Sequence, residues 1–361
     1  MKNTGFVKKV SVDSLSAPLI QPFRTALGEH DTMENVLFTL ELEDGTKGFG
    51  EAAIATHITG ETVLGTIENL KSFGSRLIGE DISDYLRISC MLNEQFAKNK
   101  AAVAAVEMSA LDVLTRQWKI PLWKLFGSRP QKLITDITVV IASLPETEDA
   151  VRRFLRQGFR TFKVKIGCDQ DEDFKRVLSV RRLARYSKII LDANQGYSAD
   201  ETLSFLKRLD RSGIRPALIE QPVPKEDWDG LKRVSKSTRI PVGADESISS
   251  VAQTVKAIRE KAVTAINIKL MKSGIIQARE IAVLARSAGI KLMIGGMMES
   301  SLAMTASAHL ASGLGCFDFI DLDTPFFIKP GFDQNPYLSK NGVYDVRRVR
   351  AGIGIVPKVK S

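Results

Sequence analysis

The sequence predicts an α/β protein in which an N-terminal α+β domain precedes a barrel of eight parallel strands. From about residue 134 onward, short β-rich runs alternate with helical stretches at a nearly constant interval, which is a βα repeat. Residues before about 130 do not follow it. The length of 361 residues is too great for one small core and suits two domains or one large barrel with additions.

The N-terminal part begins with alternating strands. Val36 to Leu42, a turn at Glu43-Asp44-Gly45, and Gly48-Phe49-Gly50-Glu51 read as an antiparallel meander. Helices are expected from Glu61 to Leu77 and from Lys100 to Trp118. The barrel strands follow as Ile134 to Ile141, Phe159 to Ile166, Lys188 to Asp192, Ala217 to Glu220, Pro241 to Asp245, Ala265 to Leu270, Lys291 to Ile294 and Phe317 to Asp321. Between them, helical periodicity places Phe174, Val177, Leu178 and Leu183 on one side of the Glu172 to Arg185 stretch. Ser198 and Ser249-Ser250 are expected N-caps, and Gly158, Gly213 and Gly289 stand where helices should stop. The expected divisions are a capping domain at 1–130, a catalytic barrel at 131–325, and a C-terminal segment at 326–361 that covers the barrel and returns to the cap. No Gly/Ser or Pro-rich linker separates the parts, so they are expected to pack tightly.

Composition narrows the class. A hydrophobic fraction of 44% and a charged fraction of 26% exclude disorder and fibres. No apolar stretch approaches the ~18 residues that span a bilayer, and Met1-Lys2-Asn3-Thr4-Gly5 lacks a signal-peptide core, so a cytoplasmic protein without membrane contact is expected. Cys90, Cys168 and Cys316 form no paired motif and read as buried small hydrophobes. The net charge of +9 would suit nucleic acid if gathered into a patch. Instead, Arg152, Arg153, Arg156, Lys175, Arg176, Arg181, Arg182 and Arg185 recur at helical spacing, as solvated faces do, and no nucleic-acid partner is expected.

In such a barrel, functional groups sit at the C-terminal ends of the strands. Lys165, Asp192, Glu220 and Asp245 each end a strand, one βα unit apart. Three carboxylates aimed at one mouth repel each other unless a cation joins them. An all-oxygen set without His or Cys favours Mg²⁺, one per subunit, over zinc. Side chains alternate along a strand, so Lys163 and Lys165 point inward while Phe162, Val164 and Ile166 point to the helices. Lys269 points inward by the same parity. Strands two and six lie across the barrel from each other, so Lys165 and Lys269 would meet one substrate carbon from opposite faces. That is a racemase or epimerase geometry, in which a metal stabilises the charge that develops on a carboxylate as its α-proton leaves. The bases need pKa values lowered toward neutrality, and burial beside the ion and, for Lys165, beside Lys163 is expected to lower them.

Lys163-Val-Lys165, Leu191-Asp192-Ala-Asn-Gln195, Ile219-Glu220-Gln-Pro222, Ala244-Asp245-Glu-Ser247 and Asn267-Ile-Lys269 resemble the enolase superfamily, specifically its muconate-lactonizing-enzyme subgroup. Residues 105–112 and 121–127 resemble the helical part of that family's capping domain. The resemblance implies a (β/α)7β modified TIM barrel, Mg²⁺ on Asp192, Glu220 and Asp245, and Lys165 and Lys269 as the acid/base pair. Asp321-Leu322-Asp323 resembles the signature of dipeptide epimerases, whose two acids hold a free α-ammonium group; paired capping of the following turn is the alternative. Gly296 and Met298 lie in a seventh-strand loop that lines substrate in that family, and Lys163 and Thr135 complete the expected substrate set.

The resemblance therefore implies an isomerase that inverts the α-carbon of the C-terminal residue of a dipeptide through an enediolate, and a homo-oligomer is expected. L-Ala-D/L-Glu epimerase, N-acylamino acid racemase, o-succinylbenzoate synthase and muconate cycloisomerase are the alternatives within the subgroup. A non-enzymatic small-acid binder would be expected to have lost one of the lysines or metal acids. The histidines are only His30, His57 and His309, and none ends a barrel strand, so the His/Asp pair of mandelate racemases is missing. His309 reads as packed within a helix, and His30 and His57 fall in loops over the mouth. Family members acting on glutamyl dipeptides resemble Pro22 to Leu27 but commonly place an arginine next, where this chain has Gly28 followed by Glu29, His30 and Asp31. That charge and the soft wall of Met298 favour hydrophobic or cationic residues over Glu, with Arg24 as the one nearby cation for an acidic side chain.

Overall fold

A computed structural model describes residues 5–127 and 129–358. Three strands, β1 (Val7–Thr25), β2 (Gly28–Leu42) and β3 (Lys47–Ala53), form an antiparallel sheet in that order. Helices α1 (Thr56–Thr59), α2 (Val63–Leu77), α3 (Tyr85–Gln95) and α4 (Lys100–Gln117) follow. Residues 101–115 of α4 are all buried, because the Ala-rich helix is sandwiched between β3 and the barrel. The close approach to β3 requires glycine: a Cβ at Gly50 would lie 1.9 Å from the Ala105 carbonyl oxygen.

After a short β4 (Leu133–Ile134), the chain alternates β5 (Ile137–Val139), α5 (Leu144–Gln157), β6 (Thr161–Lys165), α6 (Gln170–Leu183), β7 (Lys188–Asp192) and α7 (Ala199–Arg211). It continues through β8 (Leu218–Glu220), α8 (Trp228–Ser237), β9 (Val242–Ala244), α9 (Val251–Glu260) and β10 (Ala265–Lys269). The last elements are α10 (Leu270–Ser287), β11 (Lys291–Gly295), α11 (Ser301–Leu314) and β12 (Phe319–Ile320). The parallel sheet runs in sequence order from β5 to β12, which makes a (β/α)7β modified TIM barrel. The caps follow local chemistry: Ser143 and Ser198 form capping boxes with Glu146 and Glu201, Ser250 caps α9, and Gly158 ends α5 in the left-handed region. No helix among the described residues is long and apolar enough to cross a membrane.

The barrel closes by a stitched seam. β12 pairs only with β11 in the sheet, and between β12 and β5 the Asp136 N–H donates to the Ile320 carbonyl at 2.9 Å. The Leu322 N–H donates to Thr135 Oγ1 at 2.8 Å, and the Thr138 N–H to Asp323 Oδ2 at 2.6 Å. Past the last strand, β13 (Val343–Tyr344) pairs antiparallel with β4.

Helix α10 turns at Gly274, whose φ of 76° only glycine adopts without strain. The restarted helix exposes fresh amides, and Glu107 of α4 accepts both Ile275 N–H, at 2.6 Å, and Ile276 N–H, at 3.0 Å. Burial pushes the Glu107 carboxyl up to about 7.

Several expectations are corrected. The run Ile134 to Ile141 is not one strand: Ile134 is exposed in β4 outside the barrel, and the barrel strand starts at Ile137. The inner face of α6 is Asp173, Arg176, Val177 and Val180 at i, i+3, i+4 and i+7, which leaves Leu178 exposed. Arg176 is consequently not solvated but buried, paired with Asp173 at 2.5 Å and donating to the Lys165 carbonyl. Cys90 and Cys168 are exposed and Cys316 is half-buried, because these positions fall on outer faces and loops.

Candidate active site

The C-terminal rim of the sheet carries the ionisable groups. Backbone register aligns Lys165 with Asp192 and Asp192 with Glu220, while Gly243 pairs with Glu220 and places Asp245 two residues farther along the rim. β6 and β10 are four strands apart in an eight-stranded cylinder, so Lys165 and Lys269 face each other across the mouth. Both line one cleft together with Lys163, Asp321, Asp323, Gly296 and Met298.

Ion pairs bind these groups into a network. Lys163 Nζ lies 2.9 Å from Asp192 Oδ2, 2.9 Å from Glu220 Oε2 and 2.6 Å from Asp321 Oδ2. Lys165 Nζ donates to Asp192 Oδ2 at 2.7 Å and to Asn194 Oδ1 at 3.0 Å. Lys269 Nζ sits 2.7 Å from Asp245 Oδ2. Burial disfavours charge on Lys163 and Lys269, but Asp192, Asp321 and Glu220 around the first and Asp245 beside the second outweigh it and hold both ammoniums above the usual lysine range. At Lys269, one of the two expected bases, the ion pair with Asp245 acts against the expected lowering. Sequence reasoning counted the ion and, for Lys165, the neighbouring Lys163, and missed the direct ion pairs.

The donor set fits a hard divalent cation. Asp192, Glu220 and Asp245 are at most 1% exposed and offer only oxygen. Glu220 Oε2 accepts no hydrogen bond from the described residues, although Lys163 is near. Burial and the charges of Asp192 and Asp245 push Glu220 up to about 8, so the three acids do not share the space as anions without added positive charge. At Asp192 and Asp245 burial also opposes ionisation, but Lys163 and Lys165 at the first and Lys269 and Lys272 at the second hold the carboxyls well below their ordinary range. The chain turns sharply after two of the acids, with Asn194, Gln195 and Gln221 at φ of 41°, 71° and 34°. Such non-glycine conformations cost about 1–3 kcal/mol each and persist where the surroundings enforce them. Gln221 Oε1 accepts Asp245 N–H at 2.9 Å and fixes the next acid.

Residues 9–127 match the model of the mandelate racemase/muconate lactonizing enzyme N-terminal domain, and residues 146–361 match the enolase C-terminal domain-like model. The chain belongs to the mandelate racemase/muconate lactonizing enzyme family. It is 49% identical over 352 residues to a hydrophobic dipeptide epimerase of Citrifermentans bemidjiense, covering 95% of this chain and 96% of the relative. Among solved structures it is similar to a dipeptide epimerase from Enterococcus faecalis V583 complexed with Mg and the dipeptide L-Leu-L-Tyr, with 31% identity, a TM-score of 0.91 and coverage of 97% and 99%. It is similar also to a substrate-liganded L-Ala-D/L-Glu epimerase from Bacillus subtilis, with 30% identity, a TM-score of 0.94 and coverage of 98% and 99%.

In this member of the mandelate racemase/muconate lactonizing enzyme family, two sequence-predicted residues stand apart from the cleft lining. Thr135 precedes β5 in the break after β4, with its hydroxyl committed to the Leu322 N–H, and Thr138, within β5, lines the cleft instead. Arg24 is partly exposed and pairs across the β1–β2 hairpin with Glu29 at 2.7 Å. That pairing also cancels the negative charge expected from Glu29. The outer wall is Phe23, Ile54, Ile58 and Met298, with the His30 and His57 rings packed at 4.7 Å between centroids and tilted by 41°. Burial, then the charge of His30, lowers His57. Neither Asp321 nor Asp323 caps the following turn by its side chain; both face the cleft although the strand ends at Ile320.

Other members of the network were missed. Lys272 Nζ donates to Asp245 Oδ1 at 2.7 Å and to the Asn267 carbonyl at 2.9 Å, and Asn267 Nδ2 donates to Glu220 Oε1 at 2.7 Å. Strand parity already put Asn267 inward, while nothing local announced Lys272. From the N-terminal sheet, Asn35 Nδ2 donates to the Met298 carbonyl at 2.8 Å and to Glu51 Oε1 at 2.6 Å, and Ser300 N–H donates to the same Glu51 oxygen at 2.9 Å. The seventh-strand loop is thus held from above.

Proposed function

We propose that this chain is a Mg²⁺-dependent isomerase, a dipeptide epimerase that inverts the α-carbon of the C-terminal residue of a dipeptide with a non-acidic, hydrophobic second side chain. The observation that carries the reading is the meeting, in one cleft, of lysines on opposite strands with a buried acid pair at the seam. One neutral lysine takes the α-proton from its face, and the ammonium of the other returns a proton to the opposite face, which exchanges configuration without net change of atoms. Asp192, Glu220 and Asp245 would hold Mg²⁺, which when bound would supply positive charge to the substrate carboxylate as the α-proton leaves. Asp321 and Asp323 receive the free ammonium group, which separates dipeptides from N-acyl amino acids and from the other substrates of the subgroup. The relative at 49% identity is a hydrophobic dipeptide epimerase, and a structural neighbour holds Mg and L-Leu-L-Tyr.

The preference for apolar side chains follows from Phe23, Ile54, Ile58 and Met298 at the mouth and from Arg24 being turned to Glu29. Competition of L-Ala-L-Glu, L-Ala-L-Phe and L-Ala-L-Lys in D₂O, read by one-deuteron incorporation, is expected to favour the phenylalanyl dipeptide. A glutamyl kcat/KM about tenfold above the others would defeat the specificity reading. Unchanged kcat/KM on N-acetylation would defeat the ammonium reading.

A further inference from the structure

Behind the cleft, Asp136 is 1% exposed, and neither of its carboxyl oxygens meets a donor among the described residues. Its carboxyl, with those of Asp321 and Asp323, forms a buried group of three whose oxygens lie within 4.8 Å of one another. Asp321 and Asp323 line the cleft, and Asp136 is not among the lining residues. It stands on the β5 side of the seam, where its own N–H already holds Ile320 at 2.9 Å.

Three carboxylates that close cannot all be anionic out of water, since like charges at contact keep one proton between them. Asp321 has Lys163 at 2.6 Å and Asp323 has the Thr138 amide at 2.6 Å, so each of these anions is provided for. Asp136 has no such partner and is the member on which the proton belongs. The charged and titratable groups around it are Asp321 and Asp323 from the chain after β12 and Lys163 from β6. Burial, followed by the charges of Asp321 and Asp323, raises the Asp136 carboxyl well above its ordinary value, and Lys163 only partly opposes this.

We propose that Asp136 is a positioning residue: a neutral carboxylic acid that donates its proton to Asp321 and holds that carboxylate aimed into the cleft. The proposal rests on the reading of Asp321 and Asp323 as the receivers of the substrate ammonium. A neutral donor fixes Asp321 across the seam and keeps the acid pair at two negative charges. A third anion would instead add repulsion that Lys163, already paired with Asp321, offsets only in part.

The test uses Asp136→Asn and Asp136→Leu in the Mg²⁺-loaded full chain, with L-Ala-L-Phe as substrate. The amide keeps a donor without charge, so Asp136→Asn is expected to retain kcat/KM within about threefold. Asp136→Leu, which loses the donor, is expected to raise KM about tenfold or more while kcat changes little, the size of a lost hydrogen bond to a charged group. Infrared difference spectra of wild type minus Asp136→Asn should show a protonated-carboxyl C=O band, and this readout stands even where the leucine variant does not fold. The proposal is overturned if Asp136→Asn raises KM as much as Asp321→Asn does, if the leucine variant matches wild type, or if the band is missing. It is overturned also if Mg²⁺ titration finds a second ion that Asp136→Asn abolishes. If Asp321→Asn and N-acetylation themselves leave kcat/KM unchanged, the ammonium reading fails first, whatever Asp136 does.

Discussion

His309 offers a sharp measurement because its two partners dictate its protonation. In α11 the ring is fully buried; Nδ1 accepts the Trp123 N–H at 3.0 Å, and Nε2 lies 3.1 Å from the Ile353 carbonyl. Only the neutral tautomer with its proton on Nε2 satisfies both. Burial, against the smaller pull of the Ile353 carbonyl, pushes His309 down to about 3. In the unfolded chain a histidine titrates near 6.5, so below that pH the unfolded state binds the extra proton and folding stability falls. The contribution is intact above pH ~6.5 and is lost as pH drops toward 3. At pH 5 the unfolded histidine is about 1.5 pH units below its pKa while His309 stays neutral, which amounts to about 2 kcal/mol. Other groups act oppositely: Glu107, at about 7, and Glu299, pushed by burial up to about 8, bind protons more tightly folded than unfolded and gain stability as pH falls. The quantity to measure is therefore a difference. Urea unfolding of wild type and His309→Gln at pH 7 and pH 5 should show wild type losing about 2 kcal/mol relative to the variant over that interval. Parallel changes in the two proteins would refute the neutral-tautomer argument.

Asp192→Asn, Glu220→Gln and Asp245→Asn are each expected to abolish epimerisation and to weaken Mg²⁺ binding in calorimetric titration, with the circular dichroism of the fold kept. Full activity after chelation and dialysis would contradict the metal assignment. Lys165→Ala and Lys269→Ala should each stop α-proton exchange from a different substrate epimer, followed by NMR in D₂O with metal content checked. Equal loss from both epimers in both variants would argue against two bases. Gly50→Ala drives a Cβ to within 1.9 Å of the Ala105 carbonyl oxygen, so β3 and α4 must separate, and a loss of about 1–3 kcal/mol or more is expected in denaturant unfolding. A variant as stable as wild type would show that the contact relaxes freely.

What was legible in the sequence depended on how locally each feature is determined. Strand parity is a backbone property, so the inward aim of Lys163, Lys165 and Lys269 followed from alternation alone. Repeat spacing located Asp192, Glu220 and Asp245 at successive strand ends in the same way. Thr135 was misplaced because the break after Ile134 is made by pairing with β13, more than two hundred residues away, which no local pattern reports. The fate of Arg24 turned on Glu29 in the opposite strand of its hairpin, and that of Lys272 on the Asp245 carboxylate and the Asn267 carbonyl that receive it. Parity placed Asp321 and Asp323 together, yet the strand ends before them; the seam bonds from residues 135–138 bring them to the cleft.

Glu107 reaching from α4 to the amides after Gly274 makes the two halves of the molecule poor candidates for recombination. A chimaera that took its barrel from one parent and its N-terminal helices from another would have to match a single carboxylate to a single interrupted helix. The segment left uncapped on a mismatch begins six residues after Lys269. Shuffling for new specificity would therefore succeed by moving the hairpin tip and the seventh-strand loop, and would fail at any crossover drawn between α4 and β5.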